Sequence, residues 1–231
     1  MFEAILPLLA IDRTVMAFDT PGYGGSDAPS RPVQISDYAD ALTRALAALG
    51  HGPDRAQIDV IGSATGALIA IDLATRRPNW IRRVVMSGVP AFTAAERASF
   101  LADVERMAAE RASDTAGDFA TRQLNDTLKF ATNAPPLAQH LAAFADSLAP
   151  GDRWHWGELA AAHFPADERL ATMAQPVLLF LNPNARAAAT KRTPTLLKKV
   201  TVLEPPPAGA MAWQIAPDAM AGHVRRFLDA P

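Results

Sequence analysis

The segment Gly62–Gly66 has the spacing of a turn that presents a nucleophile. Its glycines stand at the first and fifth positions, as in the G-x-S-x-G turn that joins a strand to a helix and exposes a hydroxyl at its middle position. A nucleophile there would attack an acyl carbon, with a histidine as its base and a carboxylate to orient the histidine. In this chain the middle residue is Ala64, whose side chain has neither a lone pair nor an acidic proton. The pattern therefore predicts a nucleophile position, hereafter the elbow, without a nucleophile.

Hydroxyl groups stand on both sides of Ala64. Placing Ser63 at the middle of the elbow would put Ile61 and Thr65 where small residues are required, so Ser63 is only a fallback nucleophile. The backbone N–H of Thr65 is the expected donor to an oxyanion, and we expect its side chain to point elsewhere. Neither hydroxyl replaces the missing group at position 64.

Strand and helix patterns alternate along the chain. Short apolar and β-branched runs predict strands at Thr14–Phe18, Gln57–Ile61, Ile81–Ser87, Pro176–Leu181 and Val200–Leu203. Apolar residues at helical spacing predict helices at the opening segment (Phe2, Ile5 and Leu9), Ser36–Leu49, Gly66–Thr75, Thr195–Lys199 and Pro217–Leu228. This alternation predicts an α/β fold with a mostly parallel sheet and helices on both faces.

The predicted helix Ser36–Leu49 carries two further expectations. Ser36 is the expected N-cap, because a serine hydroxyl can accept a hydrogen bond from a free N–H of the first turn. The inward face is expected to hold Tyr38, Leu42, Leu46 and Leu49.

Residues 91–150 interrupt the alternation of strands and helices. They are polar, rich in alanine and helical by pattern, which is typical of an inserted helical subdomain and not of a linker. We therefore expect an α/β core at residues 1–90 and 170–231 and a helical cap, hereafter the helical insertion, at residues 91–169.

Three segments together resemble the α/β-hydrolase superfamily, close to its epoxide-hydrolase, haloalkane-dehalogenase and esterase-like branches. Phe18–Asp27 is similar to the D-x-P-G-x-G-x-S turn that follows a core strand. Asp59–Ala70 resembles the nucleophile elbow and its helix, and Pro176–Asn184 resembles the strand that delivers the catalytic acid. The helical insertion corresponds to the cap of this family.

The resemblance implies where the remaining catalytic groups should stand. It places the acid slot at Ala185 and the histidine slot at Ala210, so all three triad slots hold alanine. Alanine fills about a fifth of the chain, which gives three chance alanines at three stated slots a probability of about one in a hundred. Loss of a nucleophile or histidine alone costs about 10⁶ in turnover. The resemblance thus implies negligible hydrolysis by the usual route.

The resemblance also implies that some of the family's sheet has no counterpart here. The chain begins within a helix, so about three leading strands and the loop that supplies the second oxyanion N–H are missing. One of these strands would lie between Thr14–Phe18 and Gln57–Ile61. We expect these two strands to pair directly, or a partner chain to fill the slot and form a homo-oligomer, unless the start of the chain is misassigned or truncated.

Composition and motifs exclude several other functions. A formal net charge of −2 argues against nucleic-acid binding, and zero cysteines exclude thiolate metal sites and cysteine nucleophiles. The glycines near residue 22 lack the lysine of a phosphate loop and the helix of a dinucleotide fingerprint, so no cofactor is expected. His155 and His163 do not have metal-ligand spacing, so no metal is expected. No apolar run approaches a membrane-spanning length and the first residues do not resemble an export signal, which favours a cytoplasmic protein.

Aromatic residues mark the expected pocket. Candidates at the seam between the helical insertion and the core, or beside the histidine slot, are Trp154, His155, Trp156, Met211 and Trp213. A small apolar ligand is the expected partner, although such a seam requires aromatic packing in any case.

Three functional hypotheses follow. The first is a hydrolase-like protein that has lost its triad and binds an apolar ligand or serves as a scaffold. The second is a weak hydrolase of esters, epoxides or haloalkanes that uses Ser63 or a water held under the Thr65 N–H. The third is a deliberate substitution of the triad of a normal hydrolase by alanine.

Overall fold

The fold is built on a four-stranded parallel sheet. The computed structural model describes residues 1–129, 137–181, 187–204 and 212–231. Its strands run in the order β1-β2-β3-β4, with every neighbouring pair parallel: β1 (Ile58–Ser63), β2 (Ile81–Ser87), β3 (Val177–Phe180) and β4 (Val200–Leu203). The predicted parallel α/β architecture is confirmed.

The helices account for most of the remaining described chain. The α-helices are α1 (Leu6–Leu9), α2 (Ile35–Ala48), α3 (Thr65–Arg76), α4 (Ala94–Ser113), α5 (Asp118–Lys129), α6 (Leu137–Leu148), α7 (Trp156–His163), α8 (Ala166–Thr172), α9 (Ala187–Arg192), α10 (Ala212–Ile215) and α11 (Pro217–Leu228). Two 3₁₀ turns lie at Gly151–Arg153 and Thr193–Leu196.

Each face of the sheet carries its own hydrophobic core, because successive strand residues point to opposite faces. In β3, Val177 and Leu179 pack into a core that α2, α3, α7 and α8 complete. Leu178 and Phe180 pack into a second core formed with α1, α10 and α11. Helices therefore cover both faces, as predicted.

The start of α2 differs from the expectation. The helix begins at Ile35, so Ser36 lies in its first turn and is not the N-cap. Asp37 carries out the capping instead, because its carboxylate accepts the Gln34 N–H at 2.8 Å. At the other end, Leu49 is 58% exposed and does not face inward, because the helix has already ended at Ala48.

Thr14–Phe18 was wrongly predicted as a strand. The segment carries no regular secondary structure, although Met16 packs against one core and Val15 against the other. Of the strands in the described part of the chain, β1 pairs with β2 alone, so the expected direct pairing with Thr14–Phe18 does not occur. Most of β1 is partly exposed as a result, whereas β3 is buried throughout.

Two short helices also differ from prediction. The opening helix is a single turn with Pro7 near its start, but Ile5 and Leu9 are buried and Phe2 packs beside them, as expected. The helix predicted at Thr195–Lys199 is a 3₁₀ turn that ends at Leu196, with Pro194 in its first turn.

Helices α4 to α8 form the helical insertion and the return to the sheet. The capping box of α4 lies at Thr93 and Glu96, and Arg192 of α9 pairs with the Glu96 carboxylate. Hydrogen bonding to Arg192 holds the pKa of Glu96 below its usual value. The division of the chain at residues 90 and 170 remains a prediction.

Among the helices in the described ranges, none combines the length and the hydropathy that a membrane-spanning helix requires. The cytoplasmic location expected from the sequence stays a prediction.

Candidate functional site

The elbow has the geometry of a nucleophile turn. Ala64 has φ 51° and ψ −119°, and it is the one non-glycine residue with positive φ in the described ranges. The Ala64 N–H donates to the carbonyl of Ser87 on β2 at 3.0 Å, and its carbonyl accepts the Ala67 N–H at 2.9 Å. These bonds fix the turn between β1 and α3 in a conformation that an L-residue adopts only under strain.

The two glycines of the elbow have different roles. A Cβ at Gly62 would lie 2.2 Å from the carbonyl oxygen of Gly66, so strand and helix approach too closely for any side chain there. A Cβ at Gly66 would meet no atom outside its own helix within 4 Å. The close approach of strand and helix therefore requires glycine at Gly62 and not at Gly66.

Ser63 lies in a hydrogen-bond chain beneath the elbow. Its Oγ accepts a hydrogen bond from Ser87 Oγ at 2.9 Å, and Ser87 Oγ accepts the indole N–H of Trp213 at 3.0 Å. None of these groups is a base that could take a proton from Ser63. Trp213 itself is fully buried in the core formed with α1, α10 and α11, where it packs against Phe180.

The other triad positions cannot be placed. The acid slot Ala185, the histidine slot Ala210 and the pocket candidate Met211 all lie outside the described residues.

The turn after Thr14–Phe18 folds around a carboxylate. Asp19 accepts the Gly25 N–H at 2.9 Å, and its backbone carbonyl accepts the Ser26 hydroxyl at 2.8 Å. A Cβ at Gly24 would lie 2.3 Å from the Asp19 carboxyl carbon, and Gly24 has φ +56°. The turn thus requires glycine at this position, and it projects Tyr23 toward the helical insertion.

Tyr23 joins this turn to α7. Its hydroxyl donates to the carbonyl of Trp154 at 3.0 Å and accepts the Gly157 N–H at 2.8 Å. Burial and the nearby Glu158 carboxylate raise its pKa above the usual value, so the phenol is neutral near pH 7 and can donate.

A cavity of about 200 Å³ lies where the elbow, the turn and α7 meet. Its walls are formed by Thr20, Tyr23, Tyr38, Thr65, Trp154, Gly157 and Glu158. Thr65 begins α3, whose first N–H groups have no acceptor within the helix and carry partial positive charge. The cavity therefore combines aromatic walls with hydrogen-bond donors, an arrangement that suits a small molecule with an apolar body and an acceptor oxygen.

The aromatic pocket candidates separate in space. Trp154 lines the cavity. The ring of His155 lies edge-on to the ring of Trp154, with 5.7 Å between their centroids. His155 Nδ1 is buried without a hydrogen-bond partner among the described residues. Trp156 begins α7 but is not among the residues that line the cavity.

Sequence reasoning did not identify the two tyrosines of the cavity as site residues. Tyr23 stands inside the glycine-rich turn that the sequence identified, and Tyr38 was assigned only to the inner face of α2. Tyr38 is 2% exposed, and its hydroxyl oxygen is buried with no partner among the residues that the structure describes. Burial raises the pKa of Tyr38 to about 12. A buried hydroxyl with no partner is uncommon, and this could have been detected only in three dimensions.

The described ranges contain no group of three or more His, Cys, Asp or Glu side chains that could hold a metal ion.

Curated relatives match only part of the chain. A poly(3-hydroxyalkanoate) depolymerase of Ectopseudomonas oleovorans is 34% identical over 92 residues, which are 38% of this chain and 31% of the relative. A pimeloyl-[acyl-carrier protein] methyl ester esterase of Neisseria meningitidis serogroup B is 33% identical over 88 residues, again 38% of this chain and 30% of the relative. The matched segments thus span about a third of the length of these relatives.

Solved structures match nearly the whole chain. A hydrolase from Pseudomonas aeruginosa superposes with a TM-score of 0.79 at 20% identity, covering 99% of this chain and 84% of that one. An esterase from Rhodococcus sp. ECU1013 superposes with a TM-score of 0.76 at 23% identity, covering 99% of this chain and 84% of that one. At these identities the likeness establishes the fold.

The family assignment rests on the profile for the alpha/beta hydrolase fold, which matches residues 1–213. That range includes the elbow, the glycine-rich turn, the helical insertion and all four strands. The chain therefore belongs to the α/β-hydrolase family.

Proposed function

We propose that this protein has lost the hydrolytic triad of its family and binds a small, mainly apolar molecule between the elbow and α7. The observation that carries the proposal is Ala64, which occupies the strained middle position of the elbow with a side chain that cannot react. A strained backbone is expected where the surrounding structure imposes it, and here it is retained without the group that it would present.

The energetics of catalysis support the loss of activity. Removal of the nucleophile alone costs on the order of 8 kcal/mol of transition-state stabilisation, and further losses add little because the triad acts as a unit. Ser63 does not offset this loss, because its hydroxyl bonds to Ser87 and no base contacts it within the described residues.

The cavity and the relatives support the ligand class. The walls combine Trp154, Tyr23 and Tyr38 with the N-terminus of α3, which suits an aromatic or aliphatic body and one acceptor oxygen. One of the two named relatives is a methyl ester esterase by its name. A small ester, or a ketone of similar shape, is therefore the proposed ligand.

Activity assays with p-nitrophenyl esters, epoxides and haloalkanes test the loss of catalysis. We expect no turnover above the uncatalysed rate. Turnover that Ser63→Ala abolishes would contradict the proposal and would favour the weak hydrolase. Turnover that Ser63→Ala leaves intact would contradict it as well, and would favour a bound water under the Thr65 N–H.

A restoration variant provides the matched positive control. The triple change Ala64→Ser, Ala185→Asp and Ala210→His rebuilds the three slots that the resemblance implies. We expect it to hydrolyse the ester substrates measurably, because the elbow still holds the required turn. Failure of a folded triple variant to gain any turnover would argue against the assigned slots.

A further inference from the structure

The two tyrosines of the cavity have opposite hydrogen-bond status. The Tyr23 hydroxyl is satisfied twice, by the carbonyl of Trp154 and the N–H of Gly157. The Tyr38 hydroxyl oxygen is buried and has no partner among the described residues, although Tyr38 lines the same cavity. The chemistry of the two side chains is identical, so the difference lies in what surrounds each hydroxyl.

An unpaired buried hydroxyl is unfavourable for folding. Leaving a buried polar group without a hydrogen bond costs its desolvation energy, and native proteins rarely retain such a group without a role. Tyr23 does not relieve Tyr38, because no hydrogen bond joins the two hydroxyls. Burial keeps the Tyr38 phenol neutral well above pH 7, so it can act as a donor.

We propose that the hydroxyl of Tyr38 donates a hydrogen bond to the carbonyl oxygen of the molecule bound in the cavity, and that it thereby selects carbonyl compounds over hydrocarbons of the same shape. The inference rests on the proposed function, because it requires the cavity to be a ligand site. Thr65, at the N-terminus of α3, and Trp154 line the same cavity as Tyr38, so a ligand there would contact all three residues.

The cavity volume sets the size of the ligand. An apolar cavity of about 150 Å³ accommodates benzene. At about 200 Å³, this cavity suits a body only slightly larger than that, so the probes should be single-ring compounds with one carbonyl. Acetophenone meets this requirement, and α-methylstyrene has the same shape with a methylene group in place of the carbonyl oxygen.

The test compares the affinities of these two probes for the purified chain by NMR titration or calorimetry. We expect acetophenone to bind the wild-type chain about five to ten times more tightly than α-methylstyrene, because a net hydrogen bond contributes on the order of a tenfold change in affinity. In Tyr38→Phe this preference should disappear while the affinity for α-methylstyrene is retained. A preference that survives in Tyr38→Phe would overturn the inference.

Thermal unfolding without ligand gives a second, independent measurement. Tyr38→Phe removes an unsatisfied hydroxyl and should raise the unfolding midpoint by about 2 to 4 °C. Tyr23→Phe is the matched control: it removes a doubly bonded hydroxyl and should lower the midpoint. A lower midpoint for Tyr38→Phe would show that its hydroxyl is bonded within the fold, against the inference.

The outcomes separate this inference from the proposed function. If neither probe binds the wild-type chain, ligand binding at the cavity fails and the role of Tyr38 fails with it. If both probes bind with equal affinity, the ligand site stands and only the role of Tyr38 is overturned.

Discussion

Ala64 combines a conformation typical of catalytic turns with a side chain that cannot take part in catalysis. Its positive φ results from the close approach of β1 and α3, because Gly62 lies almost against the Gly66 carbonyl and the chain must reverse between them. The positive φ is therefore a property of the strand-to-helix connection, and any residue with a Cβ at position 64 is strained there.

Ala64→Gly should stabilise the protein. Glycine adopts positive φ without the steric cost that alanine has, and this gain exceeds the larger entropy of glycine in the unfolded chain. We expect the free energy of unfolding, measured by urea titration, to rise by about 1 kcal/mol.

Ala47→Gly is the matched control for this change. Ala47 lies exposed in α2 with ordinary helical geometry, so glycine there should lower the free energy of unfolding by about 1 kcal/mol. Equal losses at positions 47 and 64 would show that Ala64 is not strained.

At the scale of elements, α2 and α3 are joined by a network of charged residues. Asp72 is 1% exposed and pairs with Arg76 at 2.6 Å, while Arg76 also bonds to Asp40 and to the carbonyl of Ser36 on α2. Arg77 pairs with Asp40 at 2.7 Å. Arg76 is thus the residue that compensates a buried carboxylate and fixes the angle between the helices.

Neighbouring arginines should therefore differ in their contributions. Arg76→Ala leaves the Asp72 carboxylate buried without its partner and should lower the free energy of unfolding by about 3 kcal/mol. Arg77→Ala removes a pair with the more exposed Asp40 and should cost about 1 kcal/mol or less. Denaturant titration of both variants measures the difference, and equal costs would contradict this account.

Local sequence signals predicted most elements of the fold. The strands Ile81–Ser87 and Val200–Leu203 and the helix Pro217–Leu228 have the predicted bounds, because their apolar periodicity coincides with the buried face. Thr14–Phe18 has a strand-like sequence but forms no strand, since strands require a paired neighbour that a local pattern cannot supply.

The site was predictable only where it depends on the backbone. The glycine spacing located the elbow, because Gly62 is required by a contact with the helix that follows it. Tyr23 and Tyr38 are brought together with Trp154 by tertiary packing across long separations in the chain. No spacing rule connects such residues, and only the fold identifies them as one site.

At the scale of the whole molecule, the two tyrosine pKa values determine how stability responds to alkali. Both pKa values are raised in the folded protein, that of Tyr38 to about 12, and burial is the main cause. Below about pH 10, tyrosine is protonated in the folded and unfolded states alike, so this contribution to stability is fully present. Above that pH the unfolded chain ionises first, and the folded state loses stability.

We expect the free energy of unfolding to fall between about pH 10 and pH 12, by about 2 kcal/mol from Tyr38. Urea titrations at several pH values measure this slope. Tyr38→Phe should remove most of the fall that tyrosine causes. A slope unchanged in that variant would show that other groups govern the alkaline transition.

The chain contains two tyrosines, and both line the cavity beside the elbow. Phenolate absorbance is therefore an intrinsic optical reporter of this one location, with no other tyrosine to contribute background. A ligand that covers either hydroxyl would delay its ionisation, so the alkaline absorbance titration reads cavity occupancy directly. The protein can thus be screened for ligands without a label, a coupled reaction or any catalytic activity.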